Sequence, residues 1–200
     1  MRRTEPPRLN GALPQYQLVE GQLWQHSVTA SLAAEQIIRL SPVALPAEVA
    51  TAALIHDIDK LVISQYLDAH VLHFDLDADR TDRRPISHTE SAILDVDHSK
   101  VGALAAEHWG LPDTIRRGIA FHHTPEQDGS PLCFAVHLAE LLATEVHQSP
   151  EDRELASEDA DRRDQALRVL VLNSGSYESL AAKIGEQYEA LATAYAVIPT

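Results

Sequence analysis

The chain has a single cysteine, Cys133, so it can form neither an intrachain disulfide nor a Cys-x-x-Cys metal site. A lone thiol suits a reducing compartment, and the sequence predicts a cytoplasmic protein. Long apolar runs are missing as well. No stretch nears the roughly 20 residues that a membrane-spanning helix needs. Behind Arg2-Arg3 stands Thr-Glu-Pro-Pro rather than the apolar core of a signal peptide. Basic charge is in the minority: 16 Lys and Arg face 30 Asp and Glu, for a net charge of -14. That balance repels phosphate backbones and argues against direct nucleic-acid binding. No segment alternates apolar and polar residues like a half-buried strand, and no internal repeat is present.

What remains is an ordinary soluble composition, 44% hydrophobic and 23% charged, with length for one good core. Residues 1–17, rich in proline and polar groups, read as an extended arm before a single domain spanning 18–200. From Leu18 to Leu40 apolar positions recur at helical spacing (Leu23, Val28, Leu32, Ile37), and Ser41-Pro42 stops the helix. A second helix runs from Pro46 to His56-Asp57, and a third carries Leu61 to Leu67. Residues 68–85 hold His70, His73 and several aspartates. They lack the glycine and terminal glutamate of a calcium loop, so a solvated connection is the preferred reading. Asp97 is a suitable N-cap for a helix ending near Trp109-Gly110, where glycine can take the left-handed C-cap. Leu111-Pro112 opens a helix delivering His122-His123, and Pro131 opens one carrying Leu132 to Leu142. Residues 148–164 form an acidic connection or a polar helix face. Arg168–Leu172 and Leu180–Val197 close the fold. The expectation is all-α, a bundle of about seven to nine helices.

The eleven histidines are more than structure alone requires. His56-Asp57 follows the apolar run Ala50–Ile55, with Lys60 three residues on. An imidazole and a carboxylate buried together need a partner, and a divalent metal such as iron, manganese, zinc or nickel suits that ligand set. Taken singly, each histidine reads as a polar or capping residue. As a set they invite a shared site, because His56-Asp57 and His122-His123 both end strongly apolar helices. His26 follows Trp24, His98 begins a helix, and Glu140 lies one turn after His137. His88, His108 and His147 read as ordinary surface or interface residues.

An ordered series of motifs carries a resemblance: Leu23-Trp24-Gln25-His26-Ser27, Leu54-Ile55-His56-Asp57-Ile58-Asp59-Lys60, Glu90, Val96-Asp97-His98-Ser99-Lys100-Val101-Gly102, Trp109-Gly110-Leu111-Pro112 and Ile119-Ala120-Phe121-His122-His123. From about Leu18 to Leu142 the chain resembles the HD superfamily of metal-dependent phosphohydrolases, and within it the HDOD branch, the HD-related output domains of bacterial signalling. The resemblance implies an HD-like helical bundle holding one or two divalent metal ions. It implies His26, His56 and Asp57 as first ligands, with Asp57 able to bridge two ions. His98, His122 and His123 match further ligands of the related HD-GYP phosphodiesterases, and Lys60 matches the lysine that contacts substrate phosphate or the attacking water, giving Asp57 and Lys60 as catalytic candidates. Glu140 stands where the superfamily usually has its last aspartate ligand, and Asp59 where it has glycine. The loop after His123 has no Gly-Tyr-Pro. HDOD proteins usually carry a further helical half ahead of the Trp-x-His segment, and about twenty residues precede it here.

The resemblance implies two classes of function. One is a regulatory signalling domain whose metal site supports a partner-binding surface; the HDOD likeness favours it. The other is a metal-dependent phosphohydrolase acting on a nucleotide or another phosphoester, favoured by the ligand set. The expected partner is a signalling protein or a phosphorylated small molecule, with a homodimer left open and neither nucleic acid nor membrane involved.

Overall fold

The computed structural model describes residues 10–64, 90–92, 94–147 and 157–196. Its helices are α1 Gln22–Leu40, α2 Glu48–Ile55, α3 Asp59–Ile63, α4 His98–His108, α5 Asp113–Ala120, α6 Pro125–Asp128, α7 Pro131–His147, α8 Ser157–Val169 and α9 Ser174–Ala196. Among the described residues there is no strand, so the expected all-α bundle is what forms. The readings on 65–89, including Tyr66, Leu67, His70, His73 and His88, lie outside the described residues, as do 148–156.

Helices α1 and α7 pack side by side at the centre; α2 and α9 lie against both, and α8 lies against α7. Small residues make the seam. Ala30, Ala33 and Ala34 of α1, Ala52 and Ala53 of α2, and Ala135, Ala139 and Ala143 of α7 are all fully buried. Larger side chains such as Phe134, Ile37, Leu138 and Leu142 fill the remaining space. Helix α5 joins through Gly118. A Cβ there would lie 2.8 Å from the Ala52 Cβ and 3.2 Å from the Val136 Cγ2. Gly118→Val is therefore expected to lower stability by about 1–3 kcal/mol through overpacking. Urea unfolding measures this, and an unchanged midpoint would show that the seam can yield.

Several local signals act as read. Ser41 is extended before Pro42 and ends α1. Asp97 caps α4, its side chain accepting the Lys100 backbone N–H at 3.0 Å. Gly110 takes φ +70 after Trp109.

Other boundaries differ. Helix α1 begins at Gln22 because Gly21, at φ +84, turns the chain just before it. The stretch read as an extended arm is folded from Asn10 onward. Leu13 pairs with Leu18 and Pro14–Tyr16 makes a 3-10 turn. Leu13 and Tyr16 bury themselves with Leu23, Leu61 and Ile63, a second small core whose burial offsets the entropy of ordering the segment. From Ser157 the acidic stretch follows its polar-helix reading, while the closing helix expected over Arg168–Leu172 stops at Val169, where the chain turns through Val171 at φ +55. Cys133 is buried in α7, which pushes its thiol up to about 12 and leaves it protonated. No helix of the described residues is long and apolar enough to cross a membrane.

Candidate metal centre

The candidate residues arrive from six places. His26 projects from the first turns of α1, His56 and Asp57 follow the end of α2, and Lys60 lies in α3. His98 opens α4, His122 and His123 follow α5, and Glu140 lies midway along α7. Helix ends serve here because a residue just beyond a helix keeps a fixed position while its side chain escapes the packed helix face. All eight sequence-picked residues come together. His56, His98 and His122 are fully buried, whereas the His26 and His123 side chains keep 21% exposure and mark the open edge.

Two histidine groups share one carboxylate. The Asp57 Oδ2 lies 3.8 Å from the His26 Nε2 and 3.6 Å from that of His56. The Asp57 Oδ1 lies 3.4 Å from the His98 Nε2 and 3.9 Å from that of His122. His26, His56 and Asp57 form one trio with ligand atoms within 4.8 Å of one another; His98, His122 and His123 form another; His56, His122 and Glu140 link them. Ligands about 2.0–2.2 Å from a common ion stand at such separations.

The proton positions follow from the hydrogen bonds. A carbonyl oxygen only accepts, so the His56 Nδ1, 2.7 Å from the Ala53 oxygen, must donate, as must the His122 Nδ1, 2.6 Å from the Ile119 oxygen. The His98 Nδ1 donates to the Glu90 Oε2 at 2.6 Å. With those bonds made at Nδ1, the Nε2 atoms of His56, His98 and His122 turn inward. They meet one another: 3.2 Å separates the Nε2 atoms of His26 and His56, 3.3 Å those of His98 and His122, and 2.8 Å those of His98 and His123. Facing lone pairs repel unless a proton or a metal ion lies between them. The Asp57 Oδ1 and the Glu140 Oε2 add buried acceptors with no hydrogen-bond partner. This donor set fits a divalent cation.

Electrostatics agrees. Burial lowers His26 to about 3 and holds His56, His122 and His123 below the ordinary imidazole range, so these rings are neutral and ready to ligate. Burial works against charge on Asp57, but Lys60, whose ammonium donates to the Asp57 Oδ2 at 2.6 Å, pulls it well below the carboxylate range. Asp57 in turn overrides burial and keeps Lys60 charged. Burial and then Asp57 push Glu140 well above its usual range, so binding a cation there must release a proton. His98 is the exception: burial and Lys60 lower it, but Glu90, Asp59 and Asp57 together raise it.

Asp59, the residue in place of the expected glycine, is fully buried against Gly102. A Cβ on Gly102 would come 3.1 Å from its carboxyl group, so glycine there is what makes room. Burial raises Asp59 to about 8 and neither oxygen has a hydrogen-bond partner, which leaves it mainly protonated at neutral pH. His108 is exposed as expected. His147 is exposed too, and at a helix interface: its Nε2 lies 2.8 Å from the Thr29 Oγ1 and its ring meets Tyr188 edge-on. Sequence reasoning assigned no role to Tyr16 or Glu90, yet the Tyr16 hydroxyl donates to the Glu90 Oε1 at 2.8 Å. These two residues are 74 positions apart and no local pattern links them. Only the eight-residue spacing from Glu90 to His98 was visible.

The HDOD domain model matches residues 9–125, over half of the chain, starting ahead of the recognised motifs and ending before Glu140. Three solved structures share the fold. One is a presumed phosphohydrolase from Shewanella amazonensis, with 21% identity and a TM-score of 0.62, over 90% of this chain and 62% of that one. Another is a presumed signal transduction protein from Marinobacter aquaeolei, with 18% identity and a TM-score of 0.68, over 95% of this chain and 40% of that one. A third is an HDOD domain protein of unknown function from Geobacter sulfurreducens, with 18% identity and a TM-score of 0.63, over 86% and 60%. This chain spans less than two thirds of each. No curated protein matches it. The domain match and the ordered histidine motifs agree, and the chain belongs to the HDOD family.

Proposed function

We propose that the protein is a regulatory signal-transduction module of the HDOD type, built around a divalent-metal site held by His26, His56, Asp57, His98, His122, His123 and Glu140. The observation that carries the metal site is the set of Nε2 atoms crowded against one another around Asp57. A bound divalent ion would supply water activation and a clamp for phosphoryl oxygens. Asp57 stands between the two histidine groups, and the Lys60 ammonium donates to it at 2.6 Å.

Three features favour regulation over turnover. Lys60 is already committed to Asp57, which leaves it less free for an incoming phosphate. Glu140 replaces the usual aspartate. The loop after His123 folds into α6 and is clasped by two Arg117–Asp128 hydrogen bonds of 2.8 Å, with no Gly-Tyr-Pro segment. The phosphohydrolase reading rests on the near-complete ligand set.

The test is turnover. Purified chain with manganese or iron is expected to hydrolyse a generic phosphodiester and common nucleotides weakly or not at all. Binding of a protein partner is expected to survive Asp57→Asn. Robust metal-dependent turnover that disappears in Asp57→Asn, a barrier increase on the order of several kcal/mol, would instead establish the enzyme. A further gain in Glu140→Asp would then identify the longer side chain as what weakens it.

A further inference from the structure

We infer that Tyr16 and Glu90 are positioning residues for His98, so that the folded N-terminal segment sets how tightly the His98–His122–His123 side of the centre holds a metal ion. The inference rests on the metal-site reading above.

The geometry is a chain of three buried residues. Glu90 is fully buried, and so is His98. The Glu90 Oε2 accepts twice from His98, from the backbone N–H at 2.8 Å and from Nδ1 at 2.6 Å. These two bonds fix both the start of α4 and the rotation of the ring. With Nδ1 held by Glu90, the ring turns its Nε2 toward His122 and His123. A carboxylate behind a ligating imidazole also makes that imidazole more basic, and such outer partners are worth roughly 10–100-fold in metal affinity. The other Glu90 oxygen, Oε1, accepts from the Tyr16 hydroxyl at 2.8 Å. A buried carboxylate with an unfilled acceptor site could rotate; the phenol prevents it.

Tyr16 has a second contact. Its ring lies under the Lys60 ammonium, 5.9 Å from the centroid, within cation–π range. One side chain of the N-terminal turn thus touches both the support of His98 and the lysine paired with Asp57. Tyr16 can do so because Leu13 and Leu18 pin the turn on either side of it.

The experiment titrates the full chain, stripped of metal, with Co(II) alone. It follows binding calorimetrically and the visible Co(II) spectrum. Glu90→Gln keeps the shape and an acceptor but removes the charge; it is expected to weaken one metal equivalent roughly 10–100-fold and to change the spectrum. Tyr16→Phe keeps the ring over Lys60 and removes only the hydroxyl. It is expected to weaken the same equivalent by a smaller factor, roughly 3–10-fold, the worth of one hydrogen bond. Because Tyr16 acts through Glu90, the double variant is expected to match Glu90→Gln alone. A merely structural role would add the two losses.

Folded Glu90→Gln that binds Co(II) as tightly as the parent overturns the inference, and so do additive losses in the double variant. If the parent chain binds no Co(II), the metal reading fails and the metal-tuning role falls with it. The orienting role is then decided by nitrogen NMR of the metal-free protein. A proton on the His98 Nδ1 whose resonance moves in both variants supports it, and a His98 Nδ1 without a proton overturns it.

Discussion

Metal-free protein is expected to melt about 5–10 °C higher once manganese or zinc is added at about 100 times its dissociation constant. Binding to the folded state alone contributes about 2.7 kcal/mol at that excess. For a chain of this size each kcal/mol moves the midpoint by about 2–4 °C. A strong chelator should reverse the rise. His56→Ala removes the imidazole that belongs to two of the three ligand groups, so it should abolish the metal-dependent increment. The comparison is made within each variant, because deleting a fully buried ring also lowers the metal-free midpoint. Identical melting curves for the parent protein with metal and with chelator would mean that the facing imidazoles are bridged by protons instead.

Acid is expected to unfold the metal-free protein steeply between pH 6 and 4.5, with greatest stability between pH 6.5 and 7 and a gentler decline from there to pH 8. The sign follows from where protons bind. His26, lowered to about 3, and His137, lowered to about 4, are neutral when folded across that window and protonated when unfolded. Burial lowers His56, His122 and His123 in the same direction. Their contribution is present above the unfolded imidazole value near 6.5 and is lost as pH falls toward the folded values. Asp59, raised to about 8, and Glu140 oppose this, since they hold protons when folded that the unfolded chain releases. Burial lowers His147 as well, so six histidines against two carboxyls leave a net uptake on unfolding in the acid window, and each net proton is worth about 1.4 kcal/mol per pH unit. Near neutrality the unfolded histidines are mostly deprotonated, so the two carboxyls prevail and stability declines gently as pH rises from 7 to 8. His137→Gln, whose amide can still donate to the His122 carbonyl, should make the acid limb shallower by about 1.4 kcal/mol per pH unit. Thermal melts across that range decide it. A midpoint that does not change between pH 6.5 and 4.5 would show that the rings are solvated rather than buried neutral.

Much of the site was legible because its residues announce themselves locally. His56-Asp57 and His122-His123 are adjacent pairs at the ends of apolar helices, where periodicity stops and a side chain is free to point elsewhere. Asp97 and Gly110 follow rules of cap chemistry that reach only three or four residues. The bundle was legible for the same reason, since small and apolar residues recur at helical spacing. Tyr16 was not, because it sits in a Pro-rich turn without periodicity and its partner comes from far along the chain. The burial of Asp59 was hidden as well. It depends on Gly102, in a different helix, lacking a Cβ. The helical start of α8 within an acidic stretch shows charge composition giving way to packing, as Ala166 and Leu167 bury on one face.

The alanine seam between α1, α2 and α7 has a consequence for the metal centre. Where helices meet through methyl groups, backbone separation leaves no rotamer to absorb a shift. The offset between His26 on α1 and His56 at the end of α2 is therefore dictated by main-chain contact. A site built this way would be preorganised for the proposed cation: its side chains stand in place, and no helix would have to move to surround the ion. The same stiffness narrows the choice of ion, because an ion wanting longer bonds or more ligands would have to push apart a seam with no slack.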